Sequence, residues 1–366
     1  MKSFRFTPAL ALLGAVTVVQ IVTLAAGKEF YLTQLTMTAY YSLIVLGLCL
    51  LMGFAGQISL GHAGFFAIGG YTSAVLTTLD LSAYTNTSPV TLLTKLSVLT
   101  SRQDLYGHTV LNVHPWAACV VALLLALIIS YAIGIPVLKL KGHYLAMATL
   151  GFGTIIFSVV LATQRFGAAD GISSVPPFPL LPGVSVTGNS SLRVLNYYFA
   201  WILVIAAMVL LVNLINSRVG RALRAIHGAE DAANAMGVDT ARYKLYTFMM
   251  SAVLAAIAGV FLTHFNGGIG PSEASIMKSV RYVAIVAVGG MASLTGTLIM
   301  SVVLNFFSLR GYFGTLDDAV FGGILILIML FAPDGIIGSD LRALVKKLVH
   351  EIRKRMHIKS QTTNSQ

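Results

Sequence analysis

Apolar residues run along this chain in long blocks, and shorter stretches between them hold most of the Lys, Arg, Asp and Glu. A helix needs about 20 predominantly apolar residues to cross the hydrocarbon of a bilayer. On that measure the pattern predicts spans at residues 8–26, 34–52, 61–79, 116–138, 143–163, 198–216, 245–265 and 319–333, with a glycine-rich hydrophobic hairpin at 282–308. Several of these blocks are short or interrupted by glycine. The fold class expected is an all-α polytopic membrane protein with about 8 to 10 transmembrane helices, including short or broken glycine-rich segments.

Composition agrees with the pattern. Of 366 residues, 57% are hydrophobic and 10% charged, whereas a soluble domain carries about 25% charged residues. So few charges cannot cover a water-facing surface. The net charge of +11 sits in loops and the C-terminal tail rather than as a stripe on a soluble domain, so nucleic acid is not an expected partner. With the N-terminus in the cytoplasm, and the 282–308 hairpin entering and leaving from outside, 16 of the 24 Lys and Arg fall on the inner side. Lys139, Lys141, the 217–244 loop and the tail are then all cytoplasmic, as is the C-terminus.

The expected division is a membrane domain over 1–338, containing a cytoplasmic loop at 217–244, followed by a basic cytoplasmic tail at 339–366. Lys2 and Arg5 precede an apolar stretch that is long enough to be a retained first span rather than a cleaved leader. Cys49 and Cys119 each lie inside an apolar run, which favours free thiols over a disulfide or redox pair. Two outer segments, 80–115 and 165–197, are rich in Ser, Thr, Pro, Gly and Asn, as expected of surface loops that a soluble partner could meet. Asn86 and Asn189 begin glycosylation-type triplets, a pattern too short to carry weight alone.

Residues 53–71, GFAGQISLGHAGFFAIGGY, hold six glycines in 19 positions. Small residues let helices approach closely, and glycine also permits a broken membrane segment whose backbone lines a cavity. Gly56, Gly61 and Gly64 are candidates for close approach, with Gln57, Ser59 and His62 satisfying polar groups among them. His62 can hydrogen-bond across a helix interface or line a path; no second ligand at metal spacing accompanies it. Ser59, three residues earlier, can join it in a polar cluster. The Thr149 hydroxyl can bond a carbonyl one turn back or face the path. No catalytic residues and no metal site are expected.

The other patterned block is 217–238, SRVGRALRAIHGAEDAANAMGV. Ala222, Leu223, Ala225, Ile226, Ala229, Ala232 and Ala233 recur at helical spacing. Arg218, Arg221, Arg224, Glu230 and Asp231 supply a polar side, and Gly237 can end the helix. Its alanine-rich face makes a weak lipid anchor but a good close-packed docking surface.

GQISLGHAGFFAIGGY at 56–71 closely resembles the signature of branched-chain amino acid ABC transporter permeases of the LivH/LivM family. KGHYLAMATLGF at 141–152 and GAADGI at 167–172 look like the LivM type in particular. VGGMASLTG at 288–296 and FAPDG at 331–335 resemble further family motifs, with Thr297 standing where proline is common. The similarity covers about residues 35–340. It implies a heterodimer with a LivH-type permease subunit, two cytoplasmic ABC ATPases and a periplasmic substrate-binding protein, in the bacterial inner membrane. Block 217–238 then resembles the loop that contacts the ATPases, with Arg221, Arg224, His227, Glu230, Asp231 and Gly237 as docking candidates; His227 stands where the family often has Arg. The chain lacks a GxxxxGK[ST] phosphate loop, so it is not expected to be an enzyme or to bind a cofactor, and ATP and Mg would belong to the partner ATPases. Two alternatives remain open from sequence: a urea or short-amide permease of the same architecture, and an autonomous ion-coupled secondary transporter.

The charge asymmetry makes a direct prediction. A cysteine placed at Ser365 in intact cells should be shielded from a membrane-impermeant thiol reagent and react only after lysis. Equal labelling before and after lysis would contradict a cytoplasmic C-terminus.

Overall fold

The computed structural model describes residues 7–82, 98–103, 109–140, 142–181 and 183–331. The expectations for Lys2, Arg5, Asn86, Lys141, residues 332–335 of the terminal motif and the 339–366 tail lie outside the described residues.

Twelve α-helices occur among the described residues: α1 Thr7–Ala25, α2 Phe30–Cys49, α3 His62–Thr78, α4 Pro115–Val137, α5 His143–Ala162, α6 Arg193–Ile215, α7 Arg218–Gly228, α8 Glu230–Ala235, α9 Thr240–Asn266, α10 Ile276–Gly289, α11 Leu294–Leu309 and α12 Asp317–Phe331. The chain is an all-α polytopic membrane protein. Five helical stretches, namely α2 with its π-helical continuation Leu50–Phe54, then α4, α5, α6 and α9, are long and apolar enough to cross a bilayer. The hairpin expected at 282–308 is the pair α10 and α11, each too short to span alone and joined at Gly290–Ser293.

Local chemistry explains where these helices begin. Asp239 accepts a hydrogen bond from the Arg242 amide at 3.2 Å ahead of α9, Ser217 from Val219 at 3.1 Å ahead of α7, and Ser293 from Gly296 at 3.2 Å ahead of α11. Each cap satisfies an amide that the first helical turn leaves without a partner. At the far end of α9, Gly267 adopts φ +69, the left-handed conformation that terminates helices.

α2 is buried along nearly its whole length, whereas α4 and α5 leave broad apolar faces exposed. α2 is therefore the central helix, packed by α6, α9, α10 and α11, and α3 lies in a second group with α4, α5 and α9. The helix connections at 56–61, 138–140 and 216–239 gather at one end, the loop end. At the opposite end six short strands form three antiparallel pairs: β1 Leu99–Gln103 with β2 Thr109–Val113, β3 Ile172–Ser173 with β6 Gly268–Ile269, and β4 Phe178–Leu181 with β5 Val184–Val186.

This strand end differs from the loops that composition suggests. Phe178 and Val186 are fully buried, Trp116 Nε1 donates to the Pro179 carbonyl at 2.8 Å, and β3 pairs with the residues that follow α9. Much of 172–186 thus folds down as a cover on the bundle. Glu273 is tied to the bundle: its carboxylate accepts from Tyr41 Oη at 3.0 Å and from Lys278 Nζ at 3.0 Å. Both cysteines are buried and free, as expected; Cys49 Sγ meets the Met291 carbonyl at 3.3 Å and receives the Thr297 hydroxyl at 3.4 Å, which fastens the α10–α11 turn to α2.

Arg281 of α10 joins the last three helices. It pairs with Asp317, with Asp318 at 3.0 Å and with Ser308 Oγ at 2.9 Å, and its guanidinium lies 4.5 Å from the Phe321 ring centre. Arg281→Leu should lower the unfolding stability of the purified subunit by up to about 3 kcal/mol, the low end for breaking a buried pair, because Asp317 keeps Ser308 and some water. A thermal or denaturant midpoint equal to the parent's would show that this cluster does not hold α12.

Candidate translocation segment and docking loop

After α2 the helix widens into the π turn Leu50–Phe54, and residues 56–61 then run without helical structure before α3 begins at His62. A break of this kind is what the glycine content of 53–71 permits. Gly53 passes so close to the Met291 carbonyl that a side chain could not be inserted. Gly56 adopts φ +67, a left-handed conformation that favours glycine, and a Cβ there would sit 2.9 Å from His227 Nδ1. A Cβ on Gly61 would lie 2.7 Å from the Thr149 carbonyl and 3.1 Å from Phe152, and one on Gly64 would lie 3.2 Å from Phe152. The bend is thereby pressed onto α5.

Polar groups in the segment are mostly satisfied internally. His62 is fully buried; Nε2 is 2.6 Å from Ser251 Oγ of α9 and Nδ1 is 3.1 Å from Ser59 Oγ. Thr149 Oγ1 accepts from the Leu60 amide at 3.0 Å and donates back to carbonyls of its own helix, Leu145 at 3.1 Å and Ala146 at 3.0 Å. The Ala63 amide donates to Ser279 Oγ of α10 at 3.2 Å. A serine–histidine–serine chain sealed in this way holds helices together and offers no nucleophile to an outside substrate. Gln57 is the exception: it is 2% exposed, yet neither end of its amide has a hydrogen-bond partner among the described residues. The expectation that Gln57 satisfies neighbouring polar groups is corrected on this point.

α3 and α9 run parallel and in close contact. Gly69 of α3 lies so close to the Ala256 backbone of α9 that no side chain could be inserted, and a Cβ on Gly70 would press on Thr263 Oγ1 at 2.6 Å and the Gly259 carbonyl at 3.2 Å. A second histidine clasps the far end, where His264 Nε2 is 2.8 Å from Ser73 Oγ and Nδ1 is 2.7 Å from the Pro176 carbonyl. Ser251, Ser73 and His264 carry no local motif in the sequence. Their one signal is that small polar residues and a histidine stand on otherwise apolar helices.

The 217–238 block folds as two short helices instead of one. Ala229 breaks them with an extended conformation (φ −157, ψ 100), and Glu230 and Asp231 start α8 afresh at its N-terminus, where carboxylates suit the helix dipole. Leu223, Ile226 and Ala233 are buried against the bundle; Arg221, Arg224, His227, Asp231 and Gly237 are exposed. Glu230 turns inward, with Oε1 2.5 Å from Lys244 Nζ of α9. Beside this pair is a cavity of about 240 Å³ walled by Gly56, Gln57, Gly142, His227, Glu230 and Lys244. It brings the glycine bend, the α4–α5 turn and the α7–α8 loop to one place. A second cavity, about 470 Å³, opens at the strand end between Thr77, Asn112, His114, Pro176 and Ser185. Among the described residues no three His, Cys, Asp or Glu side chains gather as metal ligands.

A broken glycine-rich segment within a bundle of apolar helices, next to a charged two-helix loop, defines a polytopic membrane protein of the permease type. Residues 30–329 match the family described as branched-chain amino acid transport system / permease component, and the chain belongs to that family. It is similar to the high-affinity branched-chain amino acid transport system permease protein LivM of Escherichia coli, at 28% identity over 82% of this chain and 68% of the relative. Similarity also extends to BraD of Pseudomonas aeruginosa, at 27% identity over 84% of this chain and 96% of the relative, and to LivH of Salmonella typhimurium, at 26% over 83% and 92%. No solved structure matches the chain.

Gly61→Leu should force the bend off α5 and lower the yield or stability of folded subunit by about 1 to 3 kcal/mol, the usual cost of overpacking. His62→Ala should be milder, since hydrogen bonds between membrane helices average about 0.6 kcal/mol. Melting curves of both variants in lipid nanodiscs give the comparison, and a Gly61→Leu midpoint at or above that of His62→Ala would contradict the close packing.

Proposed function

We propose that this chain is the LivM-type permease half of an ATP-driven importer that carries branched-chain amino acids inward across the bacterial inner membrane. The observation that carries the reading is the family match over 30–329, which includes both the broken glycine segment and the two-helix loop. The relatives described above are all named for branched-chain amino acid transport, which favours this cargo over urea or short amides. In this reading the 217–244 loop faces the cytoplasm, both termini are cytoplasmic, and the strand end meets a periplasmic substrate-binding protein. A LivH-type subunit completes the membrane path and two cytoplasmic ABC ATPases supply ATP and Mg chemistry, so no catalytic step falls to this chain.

The ion-coupled alternative would need a charged relay within the membrane. Among the described residues, Lys244 is the single charged residue in the buried set, and it is ion-paired at the loop end. That arrangement suits a protein that borrows its energy from a partner.

The complete transporter in proteoliposomes should take up radiolabelled leucine from its binding protein only with hydrolysable ATP on the ATPase side. Uptake at full rate with the ATPases removed and an ion gradient imposed would overturn the proposal.

A further inference from the structure

Lys244 lies in the first turns of α9, where a cation meets the positive end of the helix dipole, and its side chain is only 8% exposed. A charge in that position needs a partner, and Glu230 supplies it from the first residue of α8. Thr240 Oγ1 lies 3.4 Å from Glu230 Oε1 and 3.1 Å from Asn234 Oδ1, so the start of α9 holds α8 at more than one point. The loop's charges are therefore sorted by face. Arg221 and Arg224 are exposed, His227 is exposed but rests against Gly56, and Glu230 points into the protein.

Two further contacts make this pair more than a local brace. The backbone at Gly56 rests against His227, so movement of α7 also reaches the broken segment. The adjoining cavity, bounded by Gln57, Glu230 and Lys244, leaves room for such movement. On its other side α9 is fixed to α3 through Gly259, Gly69 and the His62–Ser251 bond.

We propose that the Glu230–Lys244 ion pair is the joint that fixes the α7–α8 loop to α9, so that Glu230 is a positioning residue for energy coupling and does not itself contact the ATPase. This rests on the permease reading above. A force applied to the exposed arginine face is passed through the joint into α9 and, at Gly56, into the bend. Breaking the joint leaves the loop able to bind its partner but slack against the membrane domain.

A double-mutant cycle separates this from a general packing role. Glu230→Gln, Lys244→Gln and the double variant are assembled with all partner subunits in proteoliposomes, and leucine moved is measured against ATP hydrolysed. Each single variant should keep the ATPases in the purified complex while the transport-to-hydrolysis ratio falls by about tenfold, equivalent to about 1.4 kcal/mol of coupling. The double variant should be no worse than the poorer single, because the joint is already open. Loss of the ATPases from the Glu230→Gln complex, an unchanged ratio in the singles, or losses that multiply in the double would each overturn the proposal.

A second measurement does not depend on transport. Trypsin should cut at Arg221 and Arg224 faster in resting complexes of Glu230→Asp, which keeps the charge but shortens its reach, than in the parent; equal rates would also overturn the joint. A parent complex that takes up no leucine with ATP would sink the permease reading, while the trypsin comparison still decides the joint.

Discussion

The structure depends on one close backbone contact, the parallel packing of α3 against α9. Lipid is as apolar as leucine, so helices in a membrane gain little from hiding apolar side chains and are held by van der Waals packing and hydrogen bonds between them. Gly69, Gly70 and Gly259 bring the two backbones together. The His62–Ser251 and Ser73–His264 bonds then fix their register near both ends. At about 0.6 kcal/mol for an average interhelical hydrogen bond, the two clasps contribute less than the glycine packing they align.

That contact places everything else of functional interest. It holds the start of α3, and with it the 56–61 bend, beside α5 and α10. It makes α9 a continuous strut from Lys244 at the loop end to Gly267 at the strand end. There the strut meets the 172–186 cover through the β3–β6 pair and through the His264 bond to Pro176. Gly171, at φ +73, lies against the Ile269 carbonyl so closely that no side chain fits, which gives the GAADGI motif a packing role.

The sequence made some of this legible. Apolar block length located the membrane helices, and the glycine density of 53–71 announced a break, because both are properties of a continuous stretch. The Gly290 turn within a hydrophobic hairpin was readable for the same reason. Long-range partners were not: nothing near His62 in the sequence points to Ser251, 189 residues away. The inward turn of Glu230 was hidden because one continuous helix through 217–237 places it on the polar side, and only the break at Ala229 re-aims it. The strands at 172–186 are two to four residues long, too short to show a period of two.

The most direct test of the keystone role is Gly259→Ala compared with Gly151→Ala, by thermal unfolding of the purified subunit in nanodiscs. An added methyl group at Gly259 would overlap the Phe66 carbonyl, whereas nothing lies within 4 Å of one at Gly151. The account predicts that Gly259→Ala lowers stability by about 1 to 3 kcal/mol, while Gly151→Ala melts at or above the parent midpoint, as expected for replacing a helical glycine by alanine. Equal midpoints for the two variants would contradict the claim that the α3–α9 contact holds this membrane domain together.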